Sequence, residues 1–182
     1  MPTQPPDARG IPDPDRHPEL PRDSDAVGGP LPHRRLPLVL VVAVGGAVGA
    51  PLRYALARAL PTAPQGWPTA TFVTNLLGAF LLGVLLEGLA RLGSDAGVRR
   101  VVRLGVGTGL LGAFTTYSTL ATETVLLGRH GRPGLAVVYG LVSAVAGYCA
   151  AAAGIGLAAL GHRAARSRAA RVDGDANVRM PR

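Results

Sequence analysis

A chain of 182 residues with a formal net charge of +8 and a pI near 11.1 would, in a soluble protein, point to a nucleic-acid partner. Its mean hydropathy of +0.28 hides an apolar centre between two polar ends, and a single cysteine, Cys149, excludes a disulfide framework or thiolate metal cluster. His17, His33, His130 and His162 all fall outside the apolar stretches, so no nucleophile–base or metal constellation forms and no enzyme is expected.

Residues 1–34 are rich in proline, carry Asp7, Asp13, Asp15, Glu19, Asp23 and Asp25, and lack apolar periodicity, which predicts a disordered tail. Four apolar stretches follow, at about 36–60, 69–92, 101–127 and 134–160. Each has the ~20 residues a helix needs to cross a hydrocarbon core of about 30 Å. Pro61, Pro64 and Pro68, then Gly93-Ser94-Asp95, then the segment from Gly128 to Pro133 separate them, as helix breakers should. The expectation is a compact all-α membrane domain of four helices over 35–161, followed by a basic tail at 162–182, whose arginines alternate with alanine and small polar residues in a way that could extend the last helix along the cytoplasmic surface. A cleaved leader is not expected, because a long polar segment precedes Arg34 and Arg35.

The arginines are unevenly placed. Arg34 and Arg35 precede the first stretch, Arg91, Arg99, Arg100 and Arg103 flank the middle loop, and Arg163, Arg166, Arg168 and Arg171 follow the last. By the positive-inside rule, both termini and the middle loop face the cytoplasm. That placement assigns the positive charge to membrane topology and lipid rather than to nucleic acid.

Polar groups inside a membrane crossing face a bundle interior or a pathway. The first stretch holds Gly45-Gly46, Gly49 and Arg53-Tyr54; the second holds Thr71, Thr74 and Asn75; the fourth holds Tyr139, Ser143 and Tyr148. Thr71 and Asn75 lie one turn apart, as do Tyr139 and Ser143, giving two polar stripes. Uncharged donors of this kind suit a small hard anion, which a full positive charge would trap. Hydrogen bonding between helices is the alternative for any one of them.

The third stretch is the most unusual. Gly105, Gly107, Gly109 and Gly112 lead into Thr115-Thr116-Tyr117-Ser118-Thr119, a composition that weakens a helix at membrane depth. A break is expected within 112–119, freeing carbonyls for a hard cation and hydroxyls for a path.

Gly45 through Tyr54, Thr71 through Phe80, and Gly109 through Thr119 followed by Glu123 together resemble three signatures of the fluoride-specific channel family, Fluc or CrcB. The resemblance covers the four stretches and leaves both tails unmatched. It implies a plasma-membrane dimer of four-span subunits inserted in opposite orientations, with fluoride as cargo and one structural, untransported Na+ at the centre. The resemblance puts Asn75, Thr71, Tyr117, Ser118, Thr119, Leu120, Tyr139 and Ser143 on the fluoride path. Arg53 and Glu123 fall at the vestibule or gate, and Gly112 and Thr115 at the sodium.

The chain departs from the pattern at Tyr117 and Leu120, where the family carries phenylalanines with electropositive ring edges. Together with the arginine skew, this leaves two partners open: a second copy, or an oppositely oriented homologue. Two other readings stand beside the channel. A small proton-coupled drug exporter would use Glu87 or Glu123 as its switch, whereas a passive subunit of a larger complex would conduct nothing.

Overall fold

The computed structural model describes residues 36–60 and 66–178, with side chains described as far as residue 168. The tail expected at 1–34, including Arg34, and with it Arg35, Pro61 and Pro64, lies outside the described residues, as do residues 179–182. Every element within them is helical: α1 (Leu36–Ala59), α2 (Thr69–Arg91), α3 (Val98–Val102), a π-helical stretch (Arg103–Leu111), α4 (Gly112–Phe114), α5 (Tyr117–Arg129) and α6 (Pro133–Val178).

Three of these helices are long and apolar enough to cross a membrane: α1, α2 and the Pro133–Arg168 part of α6. At 24 and 23 residues, α1 and α2 rise about 36 and 35 Å, slightly more than the hydrocarbon core. Large apolar side chains point outward rather than in. Val137, Leu141 and Val145 form an exposed i, i+4 row along α6, and Leu40 and Val44 do so on α1. Such continuous apolar faces are the surface lipid covers.

Close main-chain approach holds the bundle together, because helices in lipid gain no hydrophobic energy from meeting and rely on van der Waals contact. Gly45 and Gly49 of α1 lie against the backbones of Gly105 and Leu110, and a Cβ at either would overlap a carbonyl oxygen. Gly83 of α2 meets the Ala151 carbonyl of α6, while Gly154 of α6 meets the Phe80 carbonyl of α2. These reciprocal contacts make α2–α6 the most extensive helix pair, with α1 against the π-helical stretch the next. A small apolar core of Leu127, Ala136 and Tyr139 closes one end, with Trp67, Phe72 and Leu120 packed against it.

Arginines tie together the loop between α2 and α3. Arg99 donates to the carbonyls of Leu92 (2.8 Å) and Ser94 (2.7 Å), and Arg103 donates to the Asp95 carboxylate at 2.6 Å. Gly97, at φ +54°, makes the turn into α3 that a side chain would strain. The last helix does not stop where its apolar run ends near residue 160. It continues unbroken through the basic segment to Val178, 46 residues in all.

Candidate functional site

Between α4 and α5 the chain leaves the helix for two residues. Thr115 (φ −78°, ψ 161°) and Thr116 (φ −152°, ψ 117°) are extended, so the third apolar segment is two helical pieces with an opening between them. Space permits this because α2 has no side chain opposite: a Cβ on Gly78 would collide with the Thr115 methyl group. Upstream, the Gly105-x-Gly107-x-Gly109 run is wound as a π-helix, a wide turn that is rare and frequently found at functional positions.

Asn75 manages the backbone that the break exposes. Its amide nitrogen donates to the Thr116 carbonyl at 2.9 Å, and its amide oxygen accepts from the Thr116 N–H at 2.8 Å. One side chain thus pairs with both main-chain groups of a residue 41 positions distant, at a depth where an unpaired polar group costs several kcal/mol. Because the Thr116 N–H is spent on Asn75, it does not return to Gly112, whose carbonyl loses its α-helical partner. Thr115 completes the tether: its N–H and hydroxyl both donate to the Leu111 carbonyl, at 3.0 and 2.9 Å.

Thr116 also starts α5. Its hydroxyl oxygen accepts from the Thr119 N–H at 3.1 Å, a helix cap, and lies 2.9 Å from the Thr119 hydroxyl and 3.2 Å from that of Ser118. The buried Thr116 is the hub of the hydroxyl run, and sequence reasoning did not single it out. Its signal was present only in general form, since threonine is among the residues preferred at a helix N-cap.

A cavity of about 820 Å³ opens beside the break, and Gly112, Thr115, Asn75, Tyr117, Leu120 and Ser143 all line it. Tyr117 is 82% exposed there, whereas Ser143 is buried, its hydroxyl without a hydrogen-bond partner among the described residues. An unpaired buried donor at a cavity wall is the kind of group a bound anion satisfies.

One helical turn away lies a second polar tier. The Glu123 carboxylate accepts from Thr71 Oγ1 on one oxygen and from the Tyr139 hydroxyl on the other, each at 2.8 Å. Tyr139 is wholly buried, and Trp67 packs edge-on against its ring with centroids 5.2 Å apart. Thr71 to Asn75 along α2 and Tyr139 to Ser143 along α6 connect the tiers, so Glu123 faces the same pair of helices as the cavity.

The structure therefore gathers six of the sequence-predicted site residues around the cavity and three, Thr71, Glu123 and Tyr139, into the adjoining tier. Ser118 and Thr119 are exposed at the start of α5 and bound to Thr116 rather than lining the cavity. Arg53, half-buried on α1, belongs to neither group. Glu87, a candidate exporter acid, is paired with Arg91 one turn on, its carboxylate 2.6 Å from Arg91 Nε.

A family model described as CrcB-like protein, Camphor Resistance (CrcB), matches residues 40–155, well over half of the chain. Among similar curated proteins, Fluoride-specific ion channel FluC 1 of Cutibacterium acnes is 46% identical over 114 residues, 63% of this chain and 80% of that protein. Fluoride-specific ion channel FluC 2 of Leifsonia xyli subsp. xyli is 47% identical over 126 residues, covering 69% and 86%. Fluoride-specific ion channel FluC of Deinococcus radiodurans is 46% identical over 121 residues, covering 65% and 92%.

Proposed function

Because the chain belongs to the CrcB family, multi-pass membrane proteins that are ion channels rather than enzymes, we propose that it is a fluoride-specific channel. Fluoride leaves the cytoplasm passively, past the break in the third crossing, down its own gradient. One observation carries this reading: the cavity at the break joins an unpaired buried hydroxyl, Ser143, to an amide, Asn75, with a spare proton and no positive charge among its lining residues.

The chemistry follows from the donors. Fluoride is small and strongly hydrated, so a path through lipid must replace water's hydrogen bonds with others. Ser143 O–H, the second Asn75 amide proton and the ring edge of Tyr117 are neutral donors that do this without binding the ion too tightly to release it. Thr71 and Tyr139 continue the track, their hydroxyls now held by Glu123, an acceptor an incoming anion competes with. Fluoride that enters as the neutral acid from an acidic exterior returns as the ion.

In this reading the two halves of the broken segment make the third of four crossings, and two chains pair in opposite orientations. Gly112 and Thr115 would hold the structural sodium. Their fit rests on the break itself, which withdraws the Thr116 N–H from the Gly112 carbonyl and leaves a hard, neutral oxygen of the kind such a cation takes. The bound ion would supply a fixed positive charge tying the two chains together.

A specific observation favours a second assembly. Arg99, Arg100 and Arg103 cluster at one loop while the next loop on the opposite side has only Arg129 and Arg132, and Leu120 offers the cavity no ring. Both features suit a partner that is an oppositely oriented homologue with reversed charge bias. Liposomes loaded with potassium fluoride test the function: release through the purified chain, alone or co-expressed with such a homologue, supports it. Full release from the lone chain discards the heteromeric assembly, and absence of release in both arms discards the channel.

A further inference from the structure

The unbroken continuation of α6 is unexplained by any channel role. From Pro133 to Leu160 the helix rises about 42 Å, which matches a whole bilayer with its headgroup layers. Arg163 therefore emerges at headgroup level, and Arg168 stands only about 7 to 8 Å farther along the axis, within one Debye length at physiological salt. All three of Arg163, Arg166 and Arg168 are exposed, and the family match ends before them, at residue 155.

We propose that Arg163, Arg166 and Arg168 form a cationic collar on α6 that binds the phosphates of anionic lipid headgroups at the membrane face where this helix emerges. Charge complementarity is one support. No Asp or Glu occurs between Glu123 and Asp173 in the sequence, and among the described residues none of the three arginines has an ion-pair partner. The helical register is the other. At about 100° per residue the three side chains leave the helix near 0°, 300° and 140°, distributed around its circumference. A protein partner meets a helix on one face, whereas lipid headgroups surround an emerging helix on all sides. Ser167 does not compete for the arginine heads, since its hydroxyl donates to the Arg163 main-chain carbonyl at 3.0 Å. The small side chains of Ala164 and Ala165, between Arg163 and Arg166, leave room for headgroups beside the guanidinium groups.

Lipid of this charge raises local affinity by roughly fivefold per arginine at the surface and does so less at high salt. The full chain, carrying Cys149→Ala and Ser167→Cys with a spin label at residue 167, is placed in nanodiscs of phosphatidylcholine alone or of phosphatidylcholine with phosphatidylglycerol. Accessibility to a neutral, water-soluble nickel chelate is expected to fall about threefold or more in the anionic discs, and to recover when salt is raised to about 0.5 M. In R163Q/R166Q/R168Q, accessibility is expected to be the same in both discs. Equal accessibility of the parent in neutral and anionic discs overturns the proposal, as does a difference that ignores salt. Shielding that follows added RNA and not phosphatidylglycerol also overturns it, by assigning the arginines to nucleic acid. None of these readouts depends on fluoride passage.

Discussion

Asn75→Ala removes both hydrogen bonds to the Thr116 main chain and leaves its N–H without a partner, while the Thr116 carbonyl, at the N-cap, still accepts the first hydrogen bond of α5. Each unsatisfied buried group costs about 1–3 kcal/mol. Because the site is only partly buried, the lower part of that range applies, about 1–2 kcal/mol, or roughly 5- to 30-fold in the folding equilibrium. Asn75→Asp separates the two bonds. It keeps an acceptor for the Thr116 N–H but turns the donor facing the Thr116 carbonyl into a second acceptor, so it loses one bond and adds repulsion. Reversible unfolding in mixed detergent micelles, followed by helical circular dichroism, measures both variants against the parent. Hydrogen exchange over residues 114–119 reads the break directly and should accelerate in each variant more than exchange in α1. Parental stability of Asn75→Ala within about 0.5 kcal/mol, with unchanged exchange at the break, would refute the clamp.

Thr71→Val keeps the shape of Thr71 and deletes one of the two donors on Glu123, which should cost about 1–3 kcal/mol and slow fluoride release from liposomes severalfold. Gly83→Ala places a methyl group on the Ala151 carbonyl, so thermal melting in detergent should report a loss of about 1–3 kcal/mol, while Gly88→Ala, with open space around it, should report none. Asp95 is held below its ordinary pKa of 3.8, first by the hydrogen bond from Arg103 and then by the charges of Arg103, Arg100 and Arg99. A lowered carboxyl pKa stabilises the fold above the ordinary value and loses that effect as pH falls through the lowered one. Asp95→Asn should therefore be less stable than the parent at neutral pH by no more than about 1 kcal/mol, since the pair is exposed, and the gap should close below about pH 4.

The long apolar runs behind α1, α2 and α6 are legible in the sequence because length and hydropathy are local properties. The same holds for the interruption inside 112–119, where glycine and hydroxyl composition weakens the helix, and the structure places it at Thr115 and Thr116. What composition does not show is which distant groups meet there. Asn75 reads from its spacing as a donor for an anion, yet half of its hydrogen-bonding capacity is committed to the main chain of Thr116, 41 residues on. Likewise Glu123 reads as a lone acid, and only folding across 52 residues brings Thr71 to it. The extension of the last helix was legible in the sequence as one option, and the structure takes it as far as Val178. Apolar periodicity stops near residue 160, but an alanine-rich segment with arginines has strong helix propensity and needs no buried face to continue.

Fluoride release from liposomes bears most directly on the claim that the broken crossing conducts this ion. Vesicles containing the chain, alone and together with an oppositely biased homologue, are loaded with potassium fluoride or potassium chloride, and the external anion is followed by electrode after a potassium ionophore is added. The account predicts fluoride release in at least one arm, with chloride retained in both. Fluoride retained in both arms, or chloride lost as fast as fluoride, would contradict it.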